Sequence, residues 1–100
     1  MIMETRMAGN QMQVVLTGSI YVEEAAEIRG KLTSIIDKGQ ISLFIDLSQV
    51  DYIDSTGLGM LVSIHKRVLL RGGSIKIKGL QGLVKEVFEL TRMTKVFEIQ

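Results

Sequence analysis

Ile41-Ser42-Leu43-Phe44-Ile45-Asp46-Leu47 and, after a short gap, Asp54-Ser55-Thr56-Gly57-Leu58-Gly59 are the two stretches whose reading decides the fold. The first is a nearly continuous apolar run, the pattern of a central strand covered on at least one face and often on both. The second leads into an apolar segment with helical spacing that runs from Gly57 to Arg71 and stops at Gly72-Gly73. A strand that feeds a helix through a short loop, here expected over Ser48 to Asp54, is the unit of an α/β sheet. At the junction a hydroxyl stands beside a carboxylate, with glycines following. Helix N-termini expose unpaired N–H groups and partial positive charge, so they stabilise an anion. Two readings of Ser55 and Asp54 stay open on local chemistry. Either is a good N-cap. Alternatively, a phosphate on Ser55 would be tolerated by the fold while changing the surface there by roughly −1.5 to −2 charges.

Working outward, Ile2 to Met7 and Met12 to Leu16 alternate loosely around Gly9-Asn10, which predicts an opening β-hairpin. Gly18-Ser19 ends the second strand. Val22 to Lys38 turns helical, with Ala25, Ile28, Leu32, Ile35 and Ile36 on one stripe. Glu23, Glu24 and Glu27 come early and Lys38 late, which suits the helix dipole, and Gly39 follows as the stop. Ser74 to Lys78 alternates as a strand. Leu80, Leu83, Val84, Val87 and Leu90 mark a third helix, and Met93 to Phe97 a final short turn. The predicted order is β-β-α-β-α-β-α in one domain over 1–100. It makes an α/β fold with a mixed sheet, whose right-handed crossovers place the helices mainly on one face.

Composition excludes several functions. The chain has 100 residues, 46% hydrophobic and 23% charged, which is the balance of one globular domain with one core. Net charge is +1 and aromatic residues are 5%, so neither the basic cluster nor the stacking platform of a nucleic-acid binder is present. Zero cysteines exclude disulfides and thiolate metal sites. No apolar run approaches the roughly 20 residues of a membrane span, and Met1 to Arg6 has no apolar signal core. A cytoplasmic protein that binds no membrane and is a monomer on its own is the expectation.

The segment after Gly57 is apolar nearly all round. Helical spacing puts Leu58, Leu61, Val62, His65 and Leu69 on one stripe, read as the core face. Met60, Ser63, Ile64, Arg67 and Leu70 fall largely opposite. A domain this small cannot easily bury a helix on all sides, so Met60 and Ile64 are read as a partner-binding patch that begins at Ser55, with Arg67 as a rim contact. Isolated apolar residues on a surface are also common, and that reading stays open.

Catalytic constellations are absent. His65 is the only histidine and falls on the expected core stripe. There is no Gly-x-Ser-x-Gly elbow, phosphate-binding loop or His-Glu-x-x-His motif. Gly57-Leu58-Gly59 lacks the third glycine of a dinucleotide loop. Asp46, Asp51 and Asp54 could be imagined as a Mg²⁺ cluster, but the chain is too short and the element order wrong for a receiver domain, so a solvated acidic rim is expected. No metal or cofactor is predicted.

Taken together, Gly18-Ser19-Ile20, the run LFIDLSQVDYIDSTGLGML from Leu43 to Leu61, and Arg71-Gly72-Gly73-Ser74-Ile75-Lys76-Ile77 resemble STAS domains. More narrowly they resemble the stand-alone bacterial anti-sigma-factor antagonists, from the opening hairpin to Leu90-Thr91-Arg92-Met93-Thr94-Lys95-Val96-Phe97. The resemblance implies that Ser55 is phosphorylated by an anti-sigma factor that is also an ATP-dependent serine kinase, and that a PP2C-type phosphatase resets it. The chain would then be a substrate and switch that regulates transcription by partner switching, not an enzyme. Many such antagonists carry an aspartate where this chain has Tyr21, which substitutes an aromatic contact for an acidic one. Arg92 stands where a glycine is common. The expected partner-facing residues are Tyr21, Asp54, Thr56, Gly57, Gly59, Met60, Ser63, Ile64 and Arg67, around Ser55. The alternative is a STAS scaffold or switch subunit of a system without a sigma factor, transporter-associated or otherwise signalling.

Overall fold

The Gly9-Asn10 hairpin forms as the sequence predicts. In the computed structural model, which describes residues 2–100, β1 (Ile2–Ala8) runs antiparallel to β2 (Gln11–Ile20) with Ala8 opposite Gln11. Gly9 takes φ +67°, the left-handed conformation that such a tight turn demands. β2 feeds α1 (Val22–Asp37), whose buried stripe Ala25, Ile28, Leu32 and Ile36 is the one read from spacing, with Ile35 packed at its margin. Then follow β3 (Ser42–Ile53), α2 (Ser55–Leu70), β4 (Ser74–Lys78), α3 (Gly82–Leu90), a 3₁₀ turn (Met93–Lys95) and β5 (Glu98–Ile99).

The five strands stand in sheet order β1-β2-β3-β4-β5, and from β2 onward every neighbouring pair is parallel. Each crossover moves one strand in the same direction, so right-handed connections place α1, α2 and α3 on the same face. Strand residues aimed at that face are buried: Val14 and Leu16 on β2, Leu43, Ile45 and Leu47 on β3, Ile75 and Ile77 on β4. The opposite face is polar and wet. There Lys78 lies 3.9 Å from Asp46 and 5.4 Å from the Phe44 ring centre, and Lys76 lies 3.5 Å from Glu98.

Three sequence expectations are corrected. β3 does not end at Leu47; the expected loop from Ser48 is strand as far as Ile53. The pairing with β2 slips twice, between Val15 and Thr17 and between Gly18 and Ser19. These irregularities space the buried residues as Leu47, Val50 and Ile53, which hides the two-residue period of a strand. In α3, Leu83 and Leu90 are exposed, while Val84 and Phe88 are its buried residues. The third correction is the rotation of α2. Its buried residues are Gly57, Leu58, Met60, Leu61, Ile64 and Val68, with Met60 only 4% and Ile64 1% exposed, whereas Leu69 is 53% exposed. Met60 sits at the α1–α2 seam beside Ala25, Ala26 and Gly30. Small residues on α1 let the helices close together, so α2 is covered from beneath by the sheet and from the side by α1. β5, which the sequence did not predict, extends β4 by pairing Lys76 with Glu98 and Ile77 with Ile99.

Candidate functional site

Asp54 caps α2 from an extended backbone conformation, φ −94° and ψ −175°. Its Oδ1 accepts the Gly57 N–H at 3.0 Å and the hydroxyl of Thr56. These contacts, the Thr56 hydroxyl first and the Gly57 N–H second, hold the Asp54 carboxyl below its ordinary pKa. The Asp54 N–H donates to the Ile20 carbonyl at 3.2 Å, which ties the cap to the end of β2. None of these bonds uses the Ser55 hydroxyl, and Ser55 is exposed. Of the two neighbouring hydroxyls, that of Thr56 is engaged by the cap, while that of Ser55 faces solvent at the first helical position.

Two glycines shape the surroundings in opposite ways. A Cβ on Gly57 would lie 2.6 Å from Ile53 Cγ1 and 2.9 Å from Ile20 Cγ2, so the bare backbone lets the first turn settle onto the ends of β2 and β3. A Cβ on Gly59 would meet nothing within 4 Å. Gly59, Thr56, Met60, Ala26, Arg29 and Gly30 line an open groove between α1 and α2 that starts beside the Ser55 turn. Arg29 supplies a cation to this groove.

Tyr21 borders the site from the α1 side. It is the N-cap of α1, and its N–H donates to Glu24 Oε1 at 2.9 Å. The residue is 48% exposed, and its ring lies 6.0 Å from the Tyr52 ring, centre to centre, tilted by 40°. With Val22, which is 62% exposed, it forms an aromatic and aliphatic rim beside the Ser55 turn.

The structure therefore gathers Tyr21, Asp54, Ser55, Thr56, Gly57 and Gly59 at one end of the sheet, keeps Met60 as a buried wall of the groove beside them, and sets Ile64 and Arg67 apart. Met60 and Ile64 are core residues, so the expected apolar patch on the outer side of α2 does not exist as drawn. Ser63 is half-buried and lines a shallow second groove with Gly59, Lys66 and Arg67. Arg67 is committed within the chain: its guanidinium donates to both carboxylate oxygens of Asp37, with contacts of 2.9 to 3.2 Å, and Arg71 approaches the same group at 3.5 Å. Arg67 holds the Asp37 carboxyl below its ordinary pKa. His65 is half-buried, its ring centre 4.9 Å from that of Phe97, and burial pushes its pKa down; its Nδ1 has no hydrogen-bond partner among the described residues. Sequence reasoning missed the α1–α2 groove. Its only signal was the run of small residues on α1, Ala25, Ala26 and Gly30, facing Gly59.

Residues 3–100 match the family model described as STAS domain. The chain belongs to the STAS family. Among STAS relatives, an anti-sigma-B factor antagonist of Bacillus subtilis is 37% identical over 90 residues, covering 90% of this chain and 82% of that protein. A proposed anti-sigma factor antagonist from Thermotoga maritima superimposes with a TM-score of 0.92 at 23% identity, over 97% of this chain and 84% of that one. The unphosphorylated form of the anti-sigma factor antagonist SpoIIAA gives 0.78 at 15% identity, over 99% and 87% of the two chains. At those identities the two structures speak for the fold, which is the STAS fold throughout. No helix among the described residues is long and apolar enough to cross a membrane.

Proposed function

We propose that this STAS domain is a cytoplasmic anti-sigma-factor antagonist, controlled by phosphorylation of Ser55. In the unphosphorylated state it binds an anti-sigma factor that carries serine-kinase activity, and so frees the sigma factor. That partner transfers a phosphate to Ser55, the complex dissociates, and a PP2C-type phosphatase restores the binding form. The chain contributes the acceptor hydroxyl and the docking surface; the nucleotide chemistry belongs to the kinase. The carrying observation is the division of labour in the first turn of α2, where Asp54 engages Thr56 and Gly57 and leaves Ser55 exposed. The 37% identical relative with an antagonist's name supports the same reading.

The switch acts at the surface. A phosphate at a helix N-terminus meets unpaired N–H groups and a favourable dipole, so it does not oppose the fold. It does oppose a partner shaped for a neutral hydroxyl, through like-charge repulsion and desolvation. The docking surface that Ser55 controls consists of Tyr21, Val22, Thr56 and the Gly59 groove, because these are the exposed groups around it. Phosphorylation with the kinase and labelled ATP, followed by peptide mass spectrometry, tests the assignment. Label is expected on Ser55 and absent in Ser55→Ala. Ser55→Asp is expected to keep its circular dichroism spectrum and bind the kinase at least about tenfold more weakly, a loss of about 1.4 kcal/mol. Label on Thr56 would overturn the choice of residue, and a collapsed spectrum for Ser55→Asp would show that Ser55 serves the fold instead.

A further inference from the structure

The two edges of the sheet are unequal. β5 is two residues long, too short to offer a template to another strand, whereas β1 runs for seven residues and, among the described residues, is bonded on one side only. The hairpin register fixes which backbone groups that edge presents. Ala8 and Gln11 close the two-residue turn and so form a hydrogen-bonded pair; such pairs alternate along an antiparallel ladder. Arg6 with Gln13, Glu4 with Val15 and Ile2 with Thr17 are therefore the other hydrogen-bonded pairs. Met3, Thr5 and Met7 point their N–H and C=O groups away from β2, toward the open edge.

We infer that β1 pairs antiparallel with β1 of a second copy of this chain, about a two-fold axis through Thr5. In that register Thr5 faces Thr5 of the second copy, and Met3 faces Met7 on either side. All the outward N–H and C=O groups of Met3, Thr5 and Met7 then find partners. Glu4 and Arg6 stand one residue to each side of Thr5, so each Glu4 falls opposite an Arg6. These are non-hydrogen-bonded pairs of the new ladder, where Cβ atoms come closest and charge complementarity acts most strongly. Edge charges of one sign would forbid self-pairing; opposite signs placed symmetrically select it and fix its register. On the helix side, Met7 of the second copy would lie beside Met3, above an open cleft lined by Thr5, Gly30 and Ile35. Met7 is 44% exposed in the single chain and gains cover there. The contact is isologous and closes on itself. It rests on one seven-residue edge strand from each copy, so the dimer is weak and concentration-dependent.

Sedimentation equilibrium of the wild type up to about 1 mM, the range where a sub-standard interface associates, tests this. A monomer–dimer equilibrium is expected. Glu4→Arg and Arg6→Glu alone each convert both cross-pairs to like charges and are expected to weaken dimerisation at least about tenfold. The double exchange Glu4→Arg/Arg6→Glu restores it, and so does mixing the two single variants, which complement each other. Amide exchange gives an independent reading: Met3, Thr5 and Met7 gain protection with concentration, while Glu4 and Arg6, already bonded to β2, do not. A wild type that stays monomeric, or a double exchange no stronger than the single variants, would falsify the pairing. So would protection that rises at Glu4 and Arg6 instead. The same measurement decides the sequence-based expectation of a monomer.

Discussion

At the start of α2 a carboxylate, Asp54, holds its nearest hydroxyl and N–H while Ser55 is left to solvent; at the other end Arg67 and Arg71 both reach Asp37 and fasten the helix to the C-terminus of α1. The middle is neither: Met60, Ile64 and Val68 are buried between the sheet and α1. One helix thus carries an exposed chemical group, a packed centre and a strap. The difference teaches that the accessible end works only because the rest of the helix is fixed. A first turn that could shift would carry Ser55 with it.

The strongest way to break this comparison is to charge the packed centre. Ile64 is 1% exposed, while Leu70, less than two turns later, is 88% exposed. Ile64→Lys is expected to cost more than about 3 kcal/mol, because it removes a buried aliphatic group and strands an ammonium in the core. Leu70→Lys should stay within about 0.5 kcal/mol of wild type. Urea unfolding of the pair measures both. An Ile64→Lys protein as stable as Leu70→Lys would return Ile64 to the surface and reinstate the docking patch first read from spacing.

That residue marks the limit of what the sequence shows. The βαβ order, the hairpin and the α1 stripe were legible because each has a single apolar face, or a turn residue that only one geometry accepts. The orientation of α2 was not, since a helix apolar nearly all round has no face to read. What sets its rotation is tertiary: Gly57 pressed onto Ile53 and Ile20, Met60 against small residues of α1, and Arg67 drawn to Asp37. The tail of β3 escaped because its bulges break the two-residue period. The Asp54–Gly59 turn was legible as chemistry, whereas the groove beside it needs two helices and exists only once they pack.

The two glycines of that turn give the next largest effect. Gly57→Ala pushes a methyl against Ile53 and Ile20 and is expected to destabilise by about 1–3 kcal/mol. Gly59→Ala meets open space and relieves glycine's entropy cost in a helix, so it should stabilise by about 0.5–1 kcal/mol. Thermal melts separate them by sign. Gly59→Ala also places its methyl in the groove next to Ser55, so it should bind the kinase more weakly while melting higher. If its affinity were unchanged, the groove would drop out of the docking surface, leaving the Tyr21–Val22 rim.

The smallest effect compares the two carboxylates at the ends of the comparison. Both Asp54 and Asp37 have pKa values lowered from 3.8, the first by Thr56 and Gly57, the second by Arg67. A carboxylate whose pKa is lower in the folded than in the unfolded chain contributes stability that is complete above the unfolded value and disappears as pH falls through the folded one. Asp54→Ala and Arg67→Ala should therefore each lower the melting temperature at pH 7, and both deficits should shrink once the pH drops below about 4. Salt tells them apart. The Asp37–Arg67 pair is exposed, and about 1 M NaCl shortens the screening length to about 3 Å, so the Arg67→Ala deficit should fade. The Asp54 cap acts through hydrogen bonds to groups of its own turn, so the Asp54→Ala deficit should persist in salt. Equal loss of both deficits would mean that Asp54 acts on the helix dipole as a charge, and the Thr56 hydroxyl would then be no more committed than that of Ser55.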